Sequence, residues 1–363
     1  MMKMLSIYPL GKALYRGPGE FDLSSRGVHS TASSLFYPLP TTVSGLLTWI
    51  YKSIYGPSRN SNLSRDGCRS DIYWVDEFCQ YLWGNFKIYG PIYRIGDGYY
   101  IPYDLRRRGF IKVDLSRVNK YPVKRFISGR PGHIEINRLY RDDGFIDVSE
   151  EFFDERVGNQ LGERKIVVGR LMRGRNRGLY TVKFFRPDRL PEAVLDKPLA
   201  AMVEYIYILE SPPDIPSGIY RFGGEGSHAY IKVDNLRSEP KSFMEVKESD
   251  EYIGLYVLSP ILIPTSRDPV KYLQDVYFKG IDNLCIVGES TLLGVGFASK
   301  VDNKRRSRRP IYNAIKPGSI IYVKPGEMDV PTICFEGVGI GREIGFGKLL
   351  PFKPDTSQKE VEI

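Results

Sequence analysis

Two clusters near the end of the chain hold the residue types that bind anions. Over 300–310, "KVDNKRRSRRP", Lys300 is followed by Lys304, Arg305, Arg306, Arg308 and Arg309 within ten residues. Over 337–347 five glycines fall within eleven residues (Gly337, Gly339, Gly341, Gly345, Gly347), with Arg342 among them and Lys348 just after. The first cluster suits phosphate contacts, each worth about one unit in the salt dependence of binding a polyanion; its plainer reading is a solvated loop. In the second, glycine permits positive φ and close approach of another backbone, and successive free N–H groups make an anion-binding concavity. Its plainer reading is a tight, bulged strand connection. It is not a Walker loop, because leucine follows Lys348, nor a dinucleotide fingerprint, because no helix follows.

Other residues widen the set. The bend "FGGEG" carries Gly223, Gly224, Glu225 and Gly226, with His228 two residues on. It reads as a hairpin turn or as a loop whose glutamate accepts from an arginine. The polar loop "SSRGVHSTASS" holds Arg26 and His29. A histidine there can act as the general base of a metal-free ribonuclease, or as a structural or binding contact. No G-x-S-x-G, paired-carboxylate metal motif or H-x-x-x-H appears. The cysteines Cys68, Cys79, Cys285 and Cys334 form no C-x-x-C pair, and three histidines cannot complete a zinc site with them. Free thiols in a reducing compartment are expected, with no metal, no cofactor and no catalytic centre.

These residues need a scaffold. The 363 residues, 42% of them apolar, suffice for two domains. The chain carries 52 basic and 43 acidic residues, a net +9, which favours a polyanionic partner. Its 25 tyrosines and 18 phenylalanines offer faces for splayed bases. The first residues are too soon broken by Pro9 for a signal peptide, and no apolar run approaches the roughly 20 residues of a membrane span. A cytoplasmic protein is expected.

The pattern predicts a strand over 3–8 and a helix after Pro40. Thr41 or Thr42 is its cap, Ser44 lies in the first turn, and Val43, Leu46, Leu47 and Ile50 recur at helical spacing. A short helix over 74–84 is followed by a hairpin over 86–101 turning at Gly96-Asp97-Gly98. Residues 103–178 hold 18 Lys/Arg and 11 Asp/Glu, a net +7, and read as a basic insertion, with Arg173, Arg175 and Arg177 at a hairpin tip. A buried strand over 200–209 precedes strands on either side of the Gly-Gly-Glu-Gly bend. In the second half the prediction is a strand over 252–258, a helix capped by Asp268 with Pro269 first, and strands at 284–287, 292–298, 319–324, 332–336 and 342–350. The fold class expected is α+β: two ferredoxin-like (RRM-type) domains. Their bounds are 1–245, with the insertion at about 103–178, and 246–352, with the C-terminal glycine-rich loop; a flexible tail occupies 353–363.

The ordered pieces "FYPLPTTVSGLL", "GPIYRIGDGYYIPYDL", "IYRFGGEGSHAYI", "GESTLLGVGFASKVDNKRRSRRPIYNAIKPGSIIYV" and "GREIGFGKLLP" resemble one family. It is the third subunit of the Cmr complex, the type III-B CRISPR effector, in the Cas-five-like group of the RAMP superfamily; the sister subunit of the type III-A complex is the nearest alternative. The resemblance covers most of 1–352, less clearly 105–200. It implies two ferredoxin-like domains and a non-catalytic, RNA-binding subunit that anchors the 5′ tag of the guide RNA. It also implies contact with the large polymerase-like Cas subunit and the first backbone RAMP subunit, and only indirect contact with target RNA. The family's place in antiviral defence comes with it.

On this reading Arg342, Lys348, the glycines 339, 341, 345 and 347, the 223–226 bend, His228 and the 24–34 loop converge on the tag. The helix N-terminus at Thr41, Thr42 and Ser44 faces a phosphate, and Tyr37 or Tyr312 stacks a base. Two alternatives stay open: a metal-independent RAMP endoribonuclease with His29 as base, and a basic scaffold that binds only protein.

Overall fold

The computed structural model describes residues 2–16, 31–55, 87–113, 145–148, 153–158, 180–187, 203–212, 214–224, 226–236, 253–281, 284–295, 310–324 and 328–352. In the first half these form β1 (Met2–Pro9), β2 (Tyr15–Arg16), β3 (Thr31–Leu35), α1 (Pro40–Tyr55), β4 (Lys87–Ile95), β5 (Gly98–Asp104), β6 (Arg108–Val113), β7 (Phe145–Asp147), β8 (Phe153–Gly158), β9 (Tyr180–Phe185), β10 (Val203–Glu210), β11 (Gly218–Arg221) and β12 (His228–Asn235). The second half adds β13 (Ile253–Val257), β14 (Ile261–Ile263), α2 (Pro269–Val276), β15 (Cys285–Val287), β16 (Ser290–Gly294), β17 (Ile311–Ile315), β18 (Ile320–Val323), α3 (Val330–Glu336) and β19 (Leu349–Phe352). The architecture is mostly sheet with few helices.

An antiparallel sheet of eight strands runs β11-β12-β1-β10-β4-β5-β6-β7. Its inner four, β12-β1-β10-β4, stand in the order fourth, first, third, second along the chain. The antiparallel sheet β15-β18-β13-β19 repeats that order for the second half. In each half a helix follows the first strand. Helix α3 joins third to fourth in the second half, whereas the first half has the hairpin strand β11 at that place. Smaller sheets, β14-β17-β16 and β2-β3-β9-β8, complete the structure.

The central strands of the large sheet are buried on both faces. Leu5, Ile7, Ile88, Tyr93, Tyr205 and Leu209 pack with Val43, Leu46, Leu47 and Ile50 of α1 on one side. Tyr89, Ile92, Ile101, Tyr103, Ile206 and Ile208 pack against Leu255, Val257, Phe335 and Leu349 of the second half on the other. This explains why β4 and β10 read as near-continuous apolar runs. The ring of Tyr89 stacks on Phe335 at 5.5 Å, and its hydroxyl donates to Leu349 O at 2.9 Å.

Several elements depart from the sequence expectation. Residues 332–336 are helical. Asp329 caps α3 by accepting from Thr332 N at 3.2 Å and Thr332 Oγ1 at 2.6 Å, and Pro331 sits in the first turn. The cap and the proline outweigh the strand-like Ile-Cys-Phe. Residues 342–350 are not one strand: Gly341 and Gly345 take φ of 76° and 107° around a short 3₁₀ turn, so pairing begins only at Leu349. Helix α1 starts at Pro40, so neither Thr41 nor Thr42 is its cap, and Thr42 N donates to Leu39 O at 2.8 Å. Strands β6 and β7 extend the large sheet from β5, so the stretch beginning at 103 opens as part of that sheet. The 96–98 turn, the strands beside the 223–226 bend and the Asp268-capped helix are as expected. The short helix over 74–84, the Arg173–Arg177 tip, the 245/246 boundary and the tail lie outside the described residues.

Candidate nucleic-acid interface

The glycine-rich run follows α3 and leads into β19. What approaches its backbone is the protein's own chain. A Cβ on Gly347 would lie 1.7 Å from Val338 O, and one on Gly339 would lie 2.8 Å from Leu262 O. Gly337, Gly339, Gly341, Gly345 and Gly347 all take positive φ, which a side chain would strain. The run folds back on itself, with Val338 N donating to Gly347 O and Ile340 N to Leu262 O. Ile344 and Phe346 are inserted into the core beside α1. Ser44 Oγ donates 2.9 Å to Ile344 O, and Gly345 would set a Cβ 3.5 Å from that of Pro40. The helix N-terminus and the glycine run are therefore brought together as expected, but as a packed joint. Gly339, Gly341, Gly345, Gly347 and Ser44 are buried and present no open concavity.

Lys348 requires a second correction. It is not a surface cation beside the loop: it is fully buried, and its Nζ donates 2.9 Å to Phe335 O and 2.7 Å to Glu336 O, the last carbonyls of α3. Those carbonyls lack intrahelical partners and carry the negative end of the helix dipole. Burial pulls the ammonium pKa down to about 7, with nearby Glu343 opposing. Arg342 stays at the surface, its guanidinium over the Tyr277 ring at 5.6 Å and 3.7–3.9 Å from Glu343 and Glu336. Glu336 also accepts from Lys87 Nζ of β4 at 2.9 Å, and that bond holds its carboxyl below the usual range.

The 223–226 bend docks elsewhere. Gly224 N donates to Leu14 O at 2.8 Å, and a Cβ on Gly223 would lie 2.8 Å from the same oxygen. Gly226 has open space around it, and His228 is exposed on β12 with its carbonyl accepting from Leu10 N. Tyr37 and Tyr312 are core residues and offer no face to a base; Tyr37 Oη donates 3.0 Å to Asp104 Oδ2. Thr41 and Thr42 are half-buried in the first turn of α1.

A cleft of about 230 Å³ opens between the halves. Ser34, Tyr37, Asp104 and Arg108 line it from the first half, and Thr291, Leu293, Ala314 and Lys316 from the second. Asp104 is buried at 7% exposure, faces Arg108 Nε at 3.7 Å, and has its carboxyl pKa raised by that burial against the pull of Lys316. Lys316 Nζ is held 3.1 Å from Glu289. The cleft thus offers one carboxylate and two cations, a set suited to holding a polar ligand. Sequence reasoning missed Asp104, Arg108 and Lys316. Lys316 lies 208 or more residues from the other two, and only the "DLRRR" spacing of residues 104 and 108 hinted at them.

Arg26, His29, Glu225, Lys304, Arg305, Arg306, Arg308 and Arg309 lie outside the described residues. Their chain roots do not: 17–30 runs into β3, whose Ser34 and Leu35 line the cleft, and 296–309 joins β16 to β17, which line it with Leu293 and Ala314. Among the described residues no cluster of three or more His, Cys, Asp or Glu could hold a metal, and no helix is long and apolar enough to cross a membrane. Cys285 and Cys334 are free thiols.

No family model matches the chain. A curated relative, the CRISPR system CMR subunit Cmr3 of Saccharolobus solfataricus, is 24% identical over 330 residues, 88% of this chain and 86% of the relative. Among solved structures, a chain of the type III-B Cmr-beta complex bound to cognate target RNA and AMPPnP is similar at a TM-score of 0.54 and 20% identity, over 96% of this chain and 99% of that one. A Cmr-beta structure bound to cognate target RNA gives a TM-score of 0.49 and 22% identity. The likeness in sequence covers 88% of this chain and the likeness in fold 96% of it, and the chain is homologous to Cmr3 of a type III-B CRISPR Cmr complex.

Proposed function

We propose that the chain is a non-catalytic RNA-binding subunit of a type III-B CRISPR ribonucleoprotein. It anchors the 5′ tag of the guide RNA and docks the large polymerase-like subunit and the first backbone subunit. Homology to Cmr3 supports membership of the complex. The observation that carries RNA binding is the junction cleft. Arg108 and Lys316 line it, and the segments bearing Arg26, His29 and Lys304–Arg309 leave from the strands that wall it. Cations around a cleft with a buried acceptor suit an unpaired base with its phosphates, read by hydrogen bonds on a polar edge. Of the remaining described set, Gly223, Gly226 and His228 are exposed and Arg342 is half-buried at the surface. The shared strand order of the two larger sheets, each with a helix after its first strand, supports reading both halves as ferredoxin-like.

The test is guide binding with tagged and tagless RNA in a salt titration. Tagged RNA binds more tightly to the parent chain, and Arg305→Ala with Arg306→Ala erases the difference. Equal affinity for the two RNAs in the parent chain overturns the reading.

A further inference from the structure

The second half does not cover the whole of the large sheet. Its cover reaches Met4, Ile206 and Ile208. Beyond them a single cross-strand row continues on the same face. Ile219 of β11 pairs with Tyr230 of β12, and Tyr230 with Tyr8 of β1. Tyr8 interacts with Glu204 of β10, Glu204 pairs with Arg94 of β4, and Arg94 with Tyr99 of β5, where the row meets the cover again. Strand spacing of about 4.8 Å makes this row roughly 24 Å long.

Its composition is unusual for an open sheet face. The rings of Tyr8 and Tyr230 lie 6.1 Å apart at 36°. Tyr230 is 37% exposed and Ile219 65%. Arg94 forms an ion pair with Glu204, whose side chain lies at the floor of the row at 2% exposure. Because side chains two apart share a face, Arg221, His228 and Lys232 flank the row on the same side, and all three are exposed. Lys232 is held by Asp234 at 2.7 Å. Three cations (Arg94, Arg221, Lys232) thus stand against two carboxylates, one of them buried.

We propose that this row is a platform for a short run of single-stranded RNA. Two successive bases stack on Tyr8 and Tyr230, and the phosphates meet Arg221, His228 and Lys232. Aromatic planes interleaved with cations on a flat sheet suit unpaired nucleotides. A protein interface depletes charge at its centre, whereas the Arg94–Glu204 ion pair sits within this row and Ile219 is its one aliphatic side chain. The platform rests on reading the chain as an RNA-binding subunit but stands apart from the cleft, which is walled by β3, β16 and β17.

The experiment uses the full chain and a short fluorescein-labelled oligouridine, read by anisotropy at low salt, with thiouridine crosslinking. Tyr8→Ala with Tyr230→Ala weakens binding about tenfold, while Tyr8→Phe with Tyr230→Phe retains it. Arg221→Glu, at an exposed position, weakens binding without changing the melting temperature, and crosslinks map to Met2–Pro9 or His228–Asn235. Unchanged affinity in the folded alanine variant, or crosslinks confined to other segments, overturns the platform. If Arg305→Ala with Arg306→Ala abolishes binding while the tyrosine variants do not, the platform fails and the cleft reading stands. No binding by the parent chain overturns both. Protection of this face by a protein subunit, with no RNA crosslink, assigns it to that subunit and overturns the platform.

Discussion

The hydroxyl of Ser44 reaches across 300 residues to donate to the carbonyl of Ile344 at 2.9 Å, and both groups are buried. One hydrogen bond thus ties the first turn of α1 to the glycine-rich run. Ser44→Ala removes the donor to that carbonyl at a buried joint, a cost of about 1–3 kcal/mol. Urea unfolding should show the loss, and Ser44→Gly should show no less.

Gly347→Ala is the most damaging single change expected in the run. The added Cβ would sit 1.7 Å from Val338 O at a φ of 64°, so the backbone itself must move. The expected loss is at least about 2 kcal/mol. Gly345→Ala meets Pro40 only at 3.5 Å and pays mainly for its φ of 107°, so it should cost less. Thermal melts of the two variants decide the order.

Lys348 predicts a pH dependence. In the unfolded chain its pKa is near 10.5, and in the folded chain burial brings it down to about 7. Between those values the unfolded chain binds the extra proton, so this lysine makes stability rise with pH across the window. Its full effect is present above the unfolded value and is lost as pH falls to about 7. Lys348→Met removes this slope, and also removes the donors to Phe335 O and Glu336 O. Melting temperatures of parent and variant at neutral and alkaline pH, compared as slopes, check it.

In the cleft, Tyr37 donates to Asp104, and burial makes the charged carboxylate costly. Tyr37→Phe strips that donor and should destabilise by about 1–3 kcal/mol. Asp104→Asn keeps an acceptor for Tyr37 without the charge, so it should lose less stability at neutral pH. Since the folded pKa of Asp104 is raised, the parent chain loses this part of its stability as pH rises through the carboxylate range. The asparagine variant should flatten that part of the pH profile.

The ribonuclease alternative is settled by incubating the purified chain with unprocessed repeat RNA. No cleavage is expected, with or without His29. Cleavage that disappears in His29→Ala would assign the base to that histidine instead.

Elements marked by local chemistry were legible in the sequence. Gly96-Asp97 turned the hairpin, Asp268-Pro269 opened a helix, and Val43, Leu46, Leu47 and Ile50 marked the buried stripe of α1. Asp329 and Pro331 carried an equally local signal, but the apolar Ile333-Cys334-Phe335 masked it. The glycine run was recognisable as a place of close approach. Which chain approaches depends on Val338, Leu262 and Pro40 meeting there, and no local pattern encodes that. Lys348 is the clearest case: a lysine beside glycines looks solvated until the end of α3 is known to sit over it. The cleft residues Asp104 and Lys316 were invisible for the same reason, because they meet only when the halves pack.

The middle of the large sheet, covered on both faces, makes each half of the molecule the other's solvent shield. A fragment ending near residue 245 would turn Tyr89, Ile92, Ile206 and Ile208 out to water, an oily slab wide enough to drive self-association. The two halves must therefore mature together on one polypeptide, and separate expression would yield aggregates in place of two working modules.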